Sequence, residues 1–199
     1  MTRWIFLRHG ESEANAARVF SGHQDVALTS LGRKQAQEAG AVIHQILGTD
    51  TIQSAFSSDL QRAKITAEIT LGCLNSPPSL QISEALRERN LGTWQGESID
   101  KLKATGAKDV LLTWKGAAPG GESLYDLALR SIPFLMNLHD KKRGPHLLVG
   151  HGGLIRMLIG LIDDAPLEEI GLININNAEP IVRDIESGLW TRIHNRITG

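Results

Sequence analysis

Cysteine is nearly missing from this chain: Cys73 stands alone among 199 residues. One cysteine cannot close an internal disulfide or build a cysteine-rich zinc site. It falls in an apolar helical stretch, where a buried structural thiol is expected. An excess of charge of either sign is missing too, with 21 basic against 22 acidic residues and a formal net charge of −1. A nucleic-acid binder should carry a basic excess, so no nucleic-acid partner is expected. That balance still permits a local cationic pocket for a small anion. Long apolar runs are absent. Trp4-Ile5-Phe6-Leu7 is too short for the core of a signal peptide and is broken by Arg8, and nothing approaches the roughly 18 residues of a membrane span. A cytoplasmic protein without a membrane partner follows as the default. There is no repeat of fixed period, low-complexity tract or linker, and the length suits one domain over residues 1–199.

What is present is an alternation of strand-like and helix-like segments. Short apolar runs at 4–7, 52–56, 80–82 and 147–149 read as strands, most of them buried. Helical spacing covers 31–47, 60–71, 124–138 and 154–162. Thr29 and Ser30 are placed to cap the first of these helices and Gly48 to stop it. Pro133 interrupts the third and predicts a kink or a late start. Lys141-Lys142-Arg143 reads as a solvated helix end. From 88 to 121 the periodicity is poor, and one helix near 99–103 is expected inside a loop-rich excursion. Segments 181–185 and 189–193, separated by Ser187-Gly188, resemble a terminal hairpin. The fold class that follows is α/β: a three-layer α/β/α domain whose central mixed sheet is mostly parallel.

Two of the apolar strands end in the same way, in Leu7-Arg8-His9-Gly10 and in Val149-Gly150-His151-Gly152. Ligands of open α/β sheets bind at the carboxyl ends of strands. Each His-Gly turn would also precede a loop or helix N-terminus, where free N–H groups favour an anion. A single such histidine reads as a core or surface residue; two in matching positions suggest one shared pocket. Arg8 at a buried strand end is costly without an anionic partner, and its planar fork suits phosphate. Arg62, at the start of a helix, reads from spacing alone as a surface arginine. No ligand pairs recur at metal-site spacing, and arginine beside the histidine disfavours a cation, so neither a metal nor another cofactor is expected.

Leu7-Arg8-His9-Gly10-Glu11 with Asn15 resembles the signature of the histidine phosphatase superfamily, the phosphoglycerate mutase-like group. The resemblance continues in family order through Gly22-His23-Gln24-Asp25, Leu28-Thr29-Ser30-Leu31-Gly32 and Ser57-Ser58-Asp59-Leu60-Gln61-Arg62-Ala63. It resumes at Leu86-Arg87-Glu88, Leu91-Gly92-Thr93-Trp94-Gln95-Gly96, Pro119-Gly120-Gly121-Glu122-Ser123 and Gly150-His151-Gly152-Gly153. It implies that His9 is the nucleophile and that Arg8, Arg62 and His151 form a cationic phosphate pocket joined by Gly152. It further implies that Asn15 is a polar ligand of the phosphoryl group, that Glu88 is the general acid, and that Ser21 and Gly22 lie close to substrate. Glu84 is the competing acid, and Glu88 fits the family spacing to Gly92 and Trp94. Packing against Leu91 and Trp94 is expected to keep the acid protonated.

The activity this implies is a metal-independent phosphomonoesterase that passes through a phosphohistidine and acts on a small phosphorylated metabolite. The alternatives are a cofactor-dependent phosphoglycerate mutase and a non-catalytic phosphate-binding relative. Segment 97–118 resembles the length usual in the small phosphatase branch, and no arginine lies between Arg89 and Arg130. Every matched catalytic position is present. Lys101, Lys103, Lys108 and Lys115 read as part of a solvated, mixed-charge lid that could meet a second anionic group. A monomer or homodimer is expected.

Overall fold

The computed structural model describes residues 1–139 and 144–199. Strand β1 (Thr2–Arg8) is followed by a single turn, α1 (Glu13–Ala16), and by α2 (Ser30–Leu47). Strand β2 (Ser54–Ser57), α3 (Gln61–Gly72) and the short β3 (Leu80–Ile82) come next. The 88–121 excursion holds α4 (Ile99–Ala104) and 3-10 turns at Gly92–Trp94 and Ala107–Leu112. Then follow α5 (Leu124–His139), β4 (His146–Gly150), α6 (Gly152–Ile162), α7 (Leu167–Ile170), β5 (Pro180–Ile185) and α8 (Leu189–Thr198).

The sheet order is β3-β2-β4-β1-β5, parallel throughout except for β5, which runs antiparallel to β1. Successive residues of a strand point to opposite faces, and β1 is buried on both. Trp4 and Phe6 join the core beneath α5, α6 and α8, whereas Ile5 and Leu7 join the core beneath α2 and α3. That continuous apolar run is what a three-layer α/β/α sandwich demands of its central strand. The expected mostly parallel, mixed sheet is therefore present.

Several local readings hold. The Thr29 hydroxyl accepts the Gly32 N–H at 3.0 Å as the α2 cap, and Gly48 ends the helix at φ +58°. Helix α5 runs through Pro133 rather than starting after it. Two expectations fail. Residues 189–193 form no strand: Gly188 at φ +77° opens α8, whose Trp190, Ile193 and Ile197 are buried along one helical face. The Trp190 ring lies 6.0 Å from Trp4, so tertiary packing overrides the local strand pattern. Cys73 is exposed, not buried, because α3 ends at Gly72 and Cys73 becomes its cap. The Lys141-Lys142-Arg143 expectation lies outside the described residues.

Candidate active site

Parallel register brings the two His-Gly turns together. Arg8 of β1 pairs with Gly150 of β4, so His9 and His151 follow one residue later on adjacent strands. Their rings lie 5.3 Å apart in an edge-on arrangement, and both are buried. The neighbouring strand β2 is in register as well, with Ser57 opposite Val149, and leads into α3, whose first turn carries Arg62. The carboxyl edge of three parallel strands thus converges on one cavity of about 380 Å³. Its walls include Arg8, His9, Asn15, Arg62, Glu88 and Gly152, with Ser21 and Gly22 beside them. His151 is fully buried and is not among the wall residues, but its ring lies against that of His9. A side chain on Gly10 would run into the Gly32 backbone, so only glycine lets the β1 turn pass the start of α2.

The tautomer of His9 is set by one bond. Its Nδ1 lies 2.7 Å from the Gly10 carbonyl oxygen, which can only accept. Nδ1 therefore carries the proton and Nε2 carries the lone pair. Burial, then the Arg62 and Arg8 guanidiniums, hold His9 well below the ordinary histidine range, so the ring is neutral at pH 7. Burial, then Arg62, His9 and Arg8, depress His151 in the same way. His151 is therefore a neutral N–H donor and not the cation expected of it. Neither of its ring nitrogens has a hydrogen-bond partner among the described residues.

The two arginines are fixed by backbone oxygens, not by carboxylates. Arg8 donates to the Ile175 carbonyl at 2.7 Å; Arg62 donates to those of Gln24 and Gly22 at 2.8 and 2.7 Å. Burial pushes Arg62 down to about 10, opposed by Glu88 and Asp25, and it stays charged at neutral pH. Each Nε is buried without a partner among the described residues. Glu88 acts on both arginines as a counter-charge across the cavity but is not hydrogen-bonded to either, so N–H groups remain to meet an incoming anion.

Glu88 sits across the cavity, and its carboxylate accepts the Arg89 and Gly153 backbone N–H groups, both at 2.8 Å. Leu91 and Trp94 belong instead to a small cluster with Leu111 and Ala118, so backbone amides rather than an apolar wall hold the acid. Its loop is pinned by Arg130, which donates to the Glu88 carbonyl at 3.2 Å, and by His23 Nε2 at 2.6 Å from the same oxygen. Glu84 points away: its side chain is 75% exposed and pairs with Arg87. Asn15 uses its Oδ1 in the capping box with Ser12, which leaves its Nδ2 as the end available to a ligand. Asn177, which sequence reasoning missed, donates to the His9 carbonyl at 2.8 Å from the loop before β5. Arg89 and Arg156 also line the cavity and were missed. Arg89 adjoins Glu88, and Arg156 lies five residues beyond His151, signals that carry weight only once the cavity is known. Among the described residues, no three or more histidine, cysteine, aspartate or glutamate side chains are grouped as metal ligands. No helix among them is long and apolar enough to cross a membrane.

Comparison with known proteins finds relatives over nearly the whole chain. The 2,3-bisphosphoglycerate-dependent phosphoglycerate mutase of a Methylobacterium species is 34% identical over 186 residues, covering 89% of this chain and 88% of its own. The glucosyl-3-phosphoglycerate phosphatase of Mycolicibacterium vanbaalenii is 32% identical over 211 residues, covering 99% and 87%. The solved structure of a mycobacterial glucosyl-3-phosphoglycerate phosphatase complexed with VO3 superposes with a TM-score of 0.80 at 30% identity, over 92% of each chain. The sequence profile of the histidine phosphatase superfamily (branch 1) spans residues 4–195, and the chain belongs to that superfamily.

Proposed function

We propose that this protein is a metal-independent phosphomonoesterase that transfers a phosphoryl group to His9 and then to water. The observation that carries the reading is the Nδ1 bond to Gly10, which leaves a neutral His9 with its Nε2 lone pair in a cavity lined by unpaired guanidiniums. Nε2 attacks phosphorus, the P–O ester bond breaks, and the leaving oxygen takes a proton from Glu88. Water then attacks phosphorus as it gives a proton to the Glu88 carboxylate, and the P–N bond breaks with its electron pair returning to Nε2, which releases phosphate and restores neutral His9. Arg8 and Arg62 meet the charge that spreads over the phosphoryl oxygens, and His151 and Asn15 add N–H donors. Fixed arginine charge does what a metal would otherwise do.

Relatives named mutase and phosphatase match at nearly the same identity, so the choice rests on residues. Segment 97–118 contains no arginine. Of its four lysines, Lys101 pairs with Glu97, Lys115 lies over the Tyr125 ring, Lys103 is not among the cavity walls, and Lys108 is. That favours hydrolysis over a mutase that must cage a bisphosphate. The test is to quench turnover of a labelled phosphomonoester. Acid-labile, alkali-stable label is expected on the protein and absent from His9→Ala; label persisting in that variant refutes the nucleophile. With 3-phosphoglycerate and a bisphosphoglycerate primer, phosphate release should exceed isomerisation, and the reverse would make it a mutase.

A further inference from the structure

Two sequence blocks, Gly22-His23-Gln24-Asp25 and Pro119-Gly120-Gly121-Glu122-Ser123, contain polar side chains that phosphoryl transfer does not use. In the structure His23 and Glu122 meet behind the acid. His23 is half-buried; its Nε2 lies 2.6 Å from the Glu88 carbonyl oxygen and 3.8 Å from Glu122 Oε2. A carbonyl can only accept, so Nε2 carries a proton. The same carbonyl oxygen accepts from Arg130 at 3.2 Å, which occupies its second lone pair. Arg130 is held by Glu122 through two bonds of 3.0 and 2.9 Å, and it also reaches the carbonyls of Glu84, Ala85 and Arg87. Arg130 therefore ties the whole acid-bearing segment to α5, whereas His23 ties Glu88 itself to the opposite side.

On that opposite side is the phosphate pocket. The carbonyls that flank His23, those of Gly22 and Gln24, accept the Arg62 guanidinium at 2.7 and 2.8 Å. The turn that carries them is fixed by main-chain groups. The Gln24 N–H donates to the Ser21 carbonyl at 2.8 Å, and the His23 N–H donates to the Gln95 side-chain oxygen at 2.6 Å. Gly22 stands at φ +50°, and a Cβ there would run into the Gln95 side chain, so glycine is required. Arg62 is thus held by the backbone of residues 22–24, while the imidazole between its two partners reaches across to Glu88. The Glu88 carboxylate hangs from the N–H groups of Arg89 and Gly153. Arg89 moves with the acid's own segment, so a shift of residue 88 would draw the carboxylate off Gly153.

We propose that His23 is a positioning residue whose imidazole sets the distance between Glu88 and the phosphoryl group held by Arg62. The proposal rests on the phosphomonoesterase reading with Glu88 as proton donor. It differs from a merely structural role, in which His23 only packs its loop, because it requires a loss confined to proton delivery. A proton donor must come within about 2.6–3.2 Å of the leaving oxygen, so a small drift of the acid is felt in the rate.

The experiment measures kcat and KM of His23→Ala, His23→Asn and His23→Gln on propyl phosphate and nitrophenyl phosphate, each also combined with Glu88→Gln. In His23→Ala, kcat on propyl phosphate should fall about ten- to a hundredfold, as a displacement near 1 Å predicts. On nitrophenyl phosphate, whose phenolate needs little protonation, the loss should stay below about threefold. KM should change little on either, because Arg62 keeps its backbone partners. The amide of His23→Gln can donate to the same carbonyl and should recover most of the rate. His23→Asn is too short to do so; it should behave as His23→Ala and takes its place if that variant fails to fold. With Glu88→Gln already present, His23→Ala should add less than about twofold on propyl phosphate, since residues that act as a unit are non-additive. Equal losses on the two substrates, no recovery in His23→Gln, or full additivity with Glu88→Gln overturns the proposal. If Glu88→Gln alone spares propyl phosphate, or no substrate releases phosphate, the functional reading has failed instead. The position of Glu88 is then read by amide hydrogen exchange at Gly153, whose N–H lies in the first turn of α6 and depends on Glu88 for a partner. Faster exchange in His23→Ala, reversed in His23→Gln, supports the tether, and unchanged exchange overturns it.

Discussion

Gly153→Ala should disable Glu88 without unfolding the protein. Gly153 lies in the first turn of α6 and its N–H donates to Glu88 at 2.8 Å. A methyl group there would overlap the Glu88 Oε1 and come within 3.1 Å of its Cδ, against an ordinary approach of about 3.5–4.0 Å. The clashing atoms are the end of a mobile side chain, so the carboxyl swings away and the helix stays. Alanine favours a helix by about 1 kcal/mol over glycine, which offsets much of the lost hydrogen bond. Tm should then move by only a few degrees, at roughly 2–4 °C per kcal/mol for a chain of this size. A displacement near 1 Å can cost about 10²-fold in rate, equivalent to about 2.7 kcal/mol of barrier. That loss should fall on an alkyl phosphate, whose basic leaving oxygen needs the proton. A nitrophenyl phosphate, which leaves as a stable phenolate, should lose less than about tenfold. Glu88→Gln should show the same selectivity, whereas Arg62→Ala should harm both substrates alike. Equal losses on the two substrates in Gly153→Ala, or none on the alkyl phosphate, would refute the assignment of Glu88 as proton donor.

Stability should fall as pH drops below about 6.5. In that range unfolded histidines take up protons that buried, neutral His9 and His151 refuse until far lower pH. Each contributes at most about 1.4 kcal/mol per pH unit; urea melts of His151→Gln between pH 5 and 7 should show a shallower dependence. The acid limb of kcat/KM should lie well below 6.5 and move upward in an Arg62→Lys-to-Ala comparison, since removing that charge relieves one cause of the His9 depression. Trp190→Ala should cost about 3–5 kcal/mol in denaturant melts, because its ring is buried against Trp4; a cost below 1 kcal/mol would contradict the packing of α8. Hydrolysis should survive excess chelator and be inhibited by vanadate, and activity restored only by a divalent ion would overturn the metal-independent reading.

Much of the site was legible in the sequence because its parts lie where apolar strands stop. The runs ending at Leu7 and Val149 set β1 and β4, and parallel pairing of Arg8 with Gly150 then leaves His9 and His151 side by side. The Glu88 position was marked by the family resemblance, whose spacing to Gly92 and Trp94 it fits; in the structure Glu88 lines the cavity, whereas Glu84 is exposed and pairs with Arg87. Other features depend on distant neighbours. Residues 189–193 resemble the second arm of a hairpin after Ser187-Gly188, and only a longer stretch of context reveals the Trp190, Ile193 and Ile197 stripe that buries α8. Cys73 lies outside the core because it caps α3 after Gly72 and is exposed there, which its apolar neighbours did not reveal. The charge state of His151 could not be read from residue type, since burial and the arginines set it. Arg89, Arg156 and Asn177 come from a loop, a helix and the approach to the antiparallel edge strand, and no short-range spacing links them. By itself the sequence determined the local periods and the turns at strand ends. Which cations share a cavity, and that both histidines there stay neutral, was decided by tertiary structure, because electrostatics and desolvation act through space rather than along the chain.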